Sequence, residues 1–416
     1  MTQILHVTSH LGGGLGKVLS NLVIESIMSK SEFEHIIICL ENPEKRQFID
    51  DIIKNNGKVI IHPLRNELIN LIEKTDIVQL NFTNNPVIFK YLCTMDLPPI
   101  RLLTWSHNNN LYNPTIPQEL ITESHTFLFT SPCSLEKFGN YENVGVIFSS
   151  GGFKDLPVYC DPTYELKVGY FGETIFSKLH PNYAEYINMV DVPNFKVKMI
   201  GKCGNKEILE KQSDRFEFVG YVTNIVSELS TINVLAYLLN PEHYGTTENT
   251  LLEAMSMGII PIVLNNPPEK CIVKHAETGF IVNSPKEFAN TIRYLYSDPI
   301  KRQKIGFNAS QYVRENFPIE KTESEINEYY KKCLIMEKRI IDFKSIFGET
   351  PVEWFLSCQQ NKAIFKKNGI VDLKSCSEYS NHMLFEKTKG SVFHFSRNFP
   401  NNMELKSWAT NLKSLQ

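Results

Sequence analysis

Two polar stretches of this chain, each running into a helical pattern, hold the residue types best suited to chemistry. The first is Gly12-Gly13-Gly14-Leu15-Gly16-Lys17. Glycines there leave bare backbone amides at a helix start, where the helix dipole can face an anion. A dinucleotide fingerprint would need glycine at Lys17, and a P-loop would need a longer spacer with Ser or Thr at Val18. A tight turn with no ligand is the alternative reading. The second stretch runs from Tyr244 through Thr246, Thr247, Glu248 and Asn249 to Gly258. The amides of Asn249, Thr250 and Leu251 are expected to stand unpaired at the start of its helix and to suit a diphosphate. Glu253 could take hydrogen bonds from ribose hydroxyls, or close a capping box with Thr250. His107 lies between Trp105 and Asn108-Asn109-Asn110, on a polar loop at a strand end, and is a candidate for ligand contact. No Asp-x-Asp pair and no His/Asp/Glu cluster at ligand spacing occurs, so no metal is expected.

These loops need a frame, and the hydrophobic pattern supplies one. Short apolar runs alternate with amphipathic stretches, the signature of parallel strands with crossover helices. Ile4–Thr8, Glu34–Leu40, Val59–His62, Ile77–Asn81, Arg101–Trp105, Thr126–Thr130 and Val144–Phe148 read as strands of a first set. Leu166–Phe171, Phe195–Ile200, Arg215–Val219, Val234–Leu238, Ile260–Leu264 and Gly279–Val282 read as a second. Helices are expected at Gly16–Met28, Asn249–Met257, Pro285–Ser297 and Lys301–Asn316. Ser149–Pro162, with its glycine and proline breakers, marks a boundary. The expected domains are 1–155 (acceptor side), 156–335 (donor side) and an extension at 336–416. The extension carries Trp354, Phe355, Phe365, Phe385, Phe393, Phe395 and Trp408, too many aromatics for a disordered end.

Bulk properties narrow the class. With 416 residues, two or three domains are expected. A net charge of -3 provides no field for a polyanion, which argues against nucleic acid as partner. No apolar run nears the roughly 20 residues of a membrane helix, and Met1–Val7 lacks the start of a signal peptide. The nine cysteines, Cys160 among them, form no C-x-x-C pair and read as reduced thiols of a cytoplasmic protein.

The motifs in this order resemble the retaining GT-B glycosyltransferases, specifically glycosyltransferase family 4 (glycosyl transferases group 1), over roughly residues 1–335. Gly13, Gly14 and Gly16 resemble the family's N-terminal loop near the donor phosphates. Phe171-Gly172 followed by Lys178 resembles the motif whose lysine binds the diphosphate. Phe218-Val219-Gly220-Tyr221-Val222 is similar to the segment beside the nucleotide base. Leu252-Glu253-Ala254-Met255 with Gly258 resembles the ribose-binding glutamate and its helix, and Trp105-Ser106-His107-Asn108 the strand end that places a histidine near the transferred sugar. Two positions depart from the pattern. Glu173 stands where the family carries arginine, and Gly245 where it carries its first glutamate, for which Glu242 and Glu248 are the nearby substitutes.

The resemblance implies an α/β GT-B fold, with two Rossmann-like doubly wound lobes facing a cleft. It implies a transferase moving a sugar from a nucleotide diphosphate sugar to a glycan or lipid-linked glycan in polysaccharide biosynthesis, without metal, in the cytoplasm or peripheral at the inner membrane face. His107, Lys178 and Glu248 take the catalytic positions. Thr246, Thr247, Asn249, Thr250, Leu251 and Glu253 join the glycines, Lys178, Gly220 and Tyr221 around the donor. Rival readings are a non-hydrolysing nucleotide-sugar epimerase, a binding or partner subunit without turnover, and, more distantly, a dehydrogenase.

Overall fold

A computed structural model describes residues 1–158 and 164–415; Cys160 and the end of the expected boundary segment, through Pro162, lie outside the described residues. The chain divides into two compact units. The first comprises residues 1–151, 244–246 and 319–416, and the second residues 152–243 and 247–318.

In the first unit, β1 (Thr2–Thr8), β2 (Phe33–Cys39), β3 (Lys58–Ile61), β4 (Ile77–Phe82), β5 (Leu102–Ser106), β6 (Thr126–Phe129) and β7 (Val144–Val146) form one sheet. Their order is β3-β2-β1-β4-β5-β6-β7, and every pairing is parallel. The second unit has β8 (Val168–Phe171), β9 (Val197–Ile200), β10 (Phe216–Gly220), β11 (Val234–Tyr237), β12 (Ile260–Leu264) and β13 (Phe280–Val282). They are again parallel, in the order β10-β9-β8-β11-β12-β13. All thirteen expected strands are present. Both orders are those of a doubly wound sheet whose winding reverses between the first and fourth strands, and ligands bind such sheets beyond the carboxyl ends at that reversal.

Side-chain alternation distributes the first sheet between two cores. Leu5, Val7, Ile36, Ile38, Val78 and Leu80 face one side; Ile4, Ile37, Cys39, Ile77, Leu103 and Trp105 face the other. The second side is covered by the helix Gly13–Met28 and by Ile319–Leu334, which contributes Ile326, Tyr330 and Cys333. The expected donor domain extended to 335, yet this last helix packs with the first unit, where it lies against the first helix and buries Ile319, Ile326, Tyr330 and Cys333.

The extension also belongs to the first unit. Its helices at Phe343–Phe347, Pro351–Ser357 and Val392–Asn398 pack on the helix Pro86–Thr94. Phe89 meets Phe347 at 4.9 Å and Phe395 at 5.5 Å between ring centroids. Each buried aromatic of this kind contributes about 1.5–3 kcal/mol by leaving water. The indoles are satisfied as they are buried, Trp354 donating to the Gly348 carbonyl at 2.8 Å and Trp408 to that of Lys366 at 2.7 Å.

Two helix starts differ from expectation. The first helix begins at Gly13, so Gly13, Gly14 and Gly16 form its first turn instead of a preceding loop, and the Gly16 amide donates to the Gly12 carbonyl at 3.1 Å. The helix expected at Lys301 begins at Pro299, whose fixed φ suits a first turn, with Asp298 accepting from the Lys301 amide.

Candidate functional site

In the second unit the reversal falls between β8 and β11, and the chain joins the two strand ends there. The Asn240 amide donates to the Lys178 carbonyl at 2.7 Å and the His180 amide to that of Leu238 at 3.0 Å, while the Asn240 side chain donates to the Phe176 carbonyl at 2.8 Å. Lys178 is thereby fixed beside the end of β11. Its ammonium lies 3.2 Å from Glu248 Oε2, which also accepts from the Tyr237 hydroxyl at 2.6 Å. His243 Nδ1 stands 4.0 Å from Glu248 Oε1, and its Nε2 stands 2.9 Å from Glu269 Oε1.

Tyr237, His243, Glu248 and Glu269 are buried, whereas a third of the Lys178 side chain meets solvent. Burial opposes the charge of Glu248, but Lys178, His243 and the Tyr237 hydroxyl hold its carboxyl below the usual range. Burial likewise opposes the charge of His243, yet the carboxylates of Glu269 and Glu248 prevail and raise its pKa. Tyr237 is pushed well above the phenol range by burial and by Glu248, so its hydroxyl stays a donor.

Glu248 also occupies the N-cap of the helix Asn249–Ser256, and its side chain caps none of that helix's amides. The carboxylate is turned toward Lys178 and Tyr237 instead. Leu251 departs from expectation, because its amide donates to the Glu248 carbonyl at 2.9 Å in a tight first turn. The capping box of Thr250 and Glu253 does not form, since Glu248 holds the cap position and Thr250 lies inside the helix. Glu253, Thr246 and Thr247 are buried, with Thr246 grouped in the first unit and the other two in the second.

Gly220, at φ +87°, ends β10 on the same sheet edge, and Tyr221 beyond it is 63% exposed. Glu173, in place of the family's arginine, pairs with Lys202 at 3.4 Å. Of the two substitutes for the missing glutamate, Glu248 reaches Lys178; the Glu242 amide donates to Asn240 Oδ1 at 2.8 Å.

The remaining site residues lie in the first unit. Gly13, at φ +57°, and Gly14 are exposed, but Gly16 is buried, and a Cβ there would come within 2.6 Å of the Phe48 ring. Its lack of a side chain therefore serves packing. His107 follows β5, its amide donating to the Phe82 carbonyl at 3.0 Å and its ring 5.1 Å from that of Trp105. Burial lowers its pKa to about 3, so the imidazole is neutral, and its Nε2 has no hydrogen-bond partner.

Sequence reasoning missed Tyr237, His243, Glu269 and Lys202. Tyr237 reads as strand core, and the others carry no spacing signal that leads to Glu248. Among the described residues, no three His, Cys, Asp or Glu side chains are grouped so as to hold a metal, and no helix is long and apolar enough to cross a membrane.

Residues 176–312, which contain this cluster, match the family described as Glycosyl transferases group 1. The chain is 31% identical over 141 residues to alpha-1,3/1,6-mannosyltransferase ALG2 of Dictyostelium discoideum, covering 31% of this chain and 33% of that protein. It spans about a third of the length of the curated relatives it matches. The crystal structure of Anabaena HepE in complex with UDP superposes with a TM-score of 0.62 at 14% identity, covering 80% of this chain and all of HepE. S. aureus TarM, in complex with Fondaparinux, alpha-GlcNAc-glycerol and UDP, gives 0.63 at 11% identity, covering 80% of this chain and all of TarM. The expected fold is the observed one: the chain has the GT-B fold, built from two Rossmann-like units.

Proposed function

We propose that this chain, with its glycosyl transferases group 1 segment at residues 176–312, moves a sugar from a nucleotide diphosphate sugar to a glycan or lipid-linked glycan, with retention of anomeric configuration. The observation that carries the reading is the Lys178–Glu248 contact at the winding reversal of the second sheet, beside the start of the helix Asn249–Ser256. The UDP bound to HepE and to TarM supports a nucleoside diphosphate as the ligand class.

In this reading the diphosphate lies against the amides of Asn249 and Thr250 and against the Lys178 ammonium. These fixed positive groups stabilise the charge that grows as the glycosidic bond breaks. Glu253 accepts from the ribose, and Gly220 and Tyr221 flank the base. The neutral His107 orients the sugar or the acceptor, and the departing phosphate takes the acceptor's proton while attack occurs on the same face. No metal is required, so transfer is expected to continue in excess EDTA.

Calorimetry with UDP, GDP and ADP, followed by a nucleotide-sugar panel with and without glycan acceptors, tests the proposal. Lys178→Ala is expected to weaken nucleoside diphosphate binding by tenfold or more, since it removes a charge-assisted contact worth about 1.5–3 kcal/mol. Unchanged turnover in that variant would defeat the assigned role. Product from donor alone would point to an epimerase, and binding without transfer across the panel to a partner subunit.

A further inference from the structure

The second unit contains a row of alternating charges of which the proposed chemistry uses only the Lys178–Glu248 end. Glu269 is fully buried on the short helix Pro267–Lys270. His243, 3% exposed, stands 2.9 Å from it and 4.0 Å from Glu248, which in turn binds Lys178 at 3.2 Å and the Tyr237 hydroxyl at 2.6 Å. Of this row only Lys178 reaches solvent appreciably. Two carboxylates buried this close to one ring are held most strongly when both ring nitrogens carry protons. The backbone supports the arrangement, with the His243 amide donating to the Asn240 carbonyl at 3.1 Å and Asn240 holding Lys178 and Phe176 through its own amides.

We propose that His243 is a positioning residue, an imidazolium joining Glu269 to Glu248, whose proton sets the charge balance around the Lys178 ammonium offered to the diphosphate. The proposal rests on the donor-site reading above. The charged and titratable groups facing His243 are Glu269, Glu248 and, beyond Glu248, Lys178 and Tyr237. Loss of the His243 proton removes one positive charge from the row and leaves Glu248 balanced by Lys178 alone. The ammonium is then committed to the carboxylate, and a diphosphate approaching it meets one more net negative charge. Affinity for the diphosphate therefore falls as pH rises through the His243 titration.

The test joins a histidine-selective NMR titration of the full chain to calorimetry with UDP, repeated with GDP and ADP, from pH 7 to 9.5. His243, assigned by its absence in His243→Gln, is expected to hold protons on both nitrogens at pH 7, and Glu269→Gln should shift its titration down by at least one pH unit. UDP affinity of the native chain should drop about tenfold across the titration. In His243→Gln it should be weak already at pH 7 and nearly independent of pH, a profile that simple structural damage would not produce.

If His243→Gln does not fold, Glu269→Gln carries the same test, with the affinity loss moving to lower pH alongside the NMR titration. A neutral His243 at pH 7 overturns the proposal, as does a pH dependence of affinity that is the same in native and variant chains. Failure of all three diphosphates to bind at any pH would instead remove the donor-site reading, and the NMR titration alone would then decide whether His243 joins the two carboxylates.

Discussion

Glu248 shows how one side chain can belong to two structures at once. Its position makes it the N-cap of a helix, but its carboxylate serves Lys178 and Tyr237, and the cap goes without a side-chain hydrogen bond. An Asp or Asn at an N-cap would ordinarily accept from the helix amides; here the Glu248 side chain makes no such bond. Tyr237→Phe separates the two roles. It removes a hydrogen bond to a buried charge, so it should lower unfolding free energy by about 1.5–3 kcal/mol. UDP affinity should suffer less than in Lys178→Ala. Parallel urea melts and calorimetry check both statements, and an affinity loss equal to that of Lys178→Ala would mean that Tyr237 touches the ligand. Lys178 could be singled out in the sequence because a motif pointed to it, and Glu248 only as one of two nearby candidates with Glu242. His243 and Glu269 could not, because 26 positions separate them and a fold is needed to bring a short proline-led helix beneath the loop.

Among the elements, the first helix sets a buried, closely packed glycine beside exposed ones within a single turn. Gly16 lies against Phe48 and the Leu11 backbone, whereas Gly14 is exposed. Gly16→Ala should therefore cost about 1–3 kcal/mol through overpacking. Gly14→Ala should be neutral or stabilising by up to about 1 kcal/mol, since alanine is the better helix former. Urea midpoints would decide; equal losses at both positions would contradict this division. The aromatic helices of the extension make a similar distinction. Phe347, buried, stacked on Phe82 and Phe343 and edge-on to Phe89, is expected to cost about 3–5 kcal/mol on replacement by alanine. The composition of the extension indicated a folded segment, but not which surface it covers. Its partner is the face of Pro86–Thr94, a helix whose own pattern gives no sign of a second layer.

For the molecule as a whole, the extension is part of the first unit's core, so a chain ending at Leu334 should lose near-ultraviolet circular dichroism and cooperative melting instead of behaving as an independent pair of lobes. Protons contribute as well. His6 and His35 form a buried pair at 2.7 Å, and burial depresses both pKa values, that of His35 to about 4. A depressed folded-state value means that the unfolded chain binds more protons below the ordinary histidine pKa of 6.5. The stability from this pair is present above pH 6.5 and is lost as pH falls toward 4, by up to about 1.4 kcal/mol per pH unit for each group. His243 has the opposite sign: its raised value gives stability below pH 6.5 that is lost as pH rises through the folded value. Urea midpoints between pH 7 and 4.5 should decline, and His35→Gln should flatten that decline. An unaltered slope would place the effect elsewhere.

Apolar periodicity by itself determined the thirteen strands and the doubly wound class, because burial on both sheet faces imposes runs that local composition records. Three-dimensional packing decided the rest. It placed Ile319–Leu334 and the aromatic extension on the first sheet, used Gly16 for close packing, and set His243 between two carboxylates. Contacts of that kind depend on which distant surfaces meet, and a one-dimensional pattern specifies how much apolar area must be covered without saying by what.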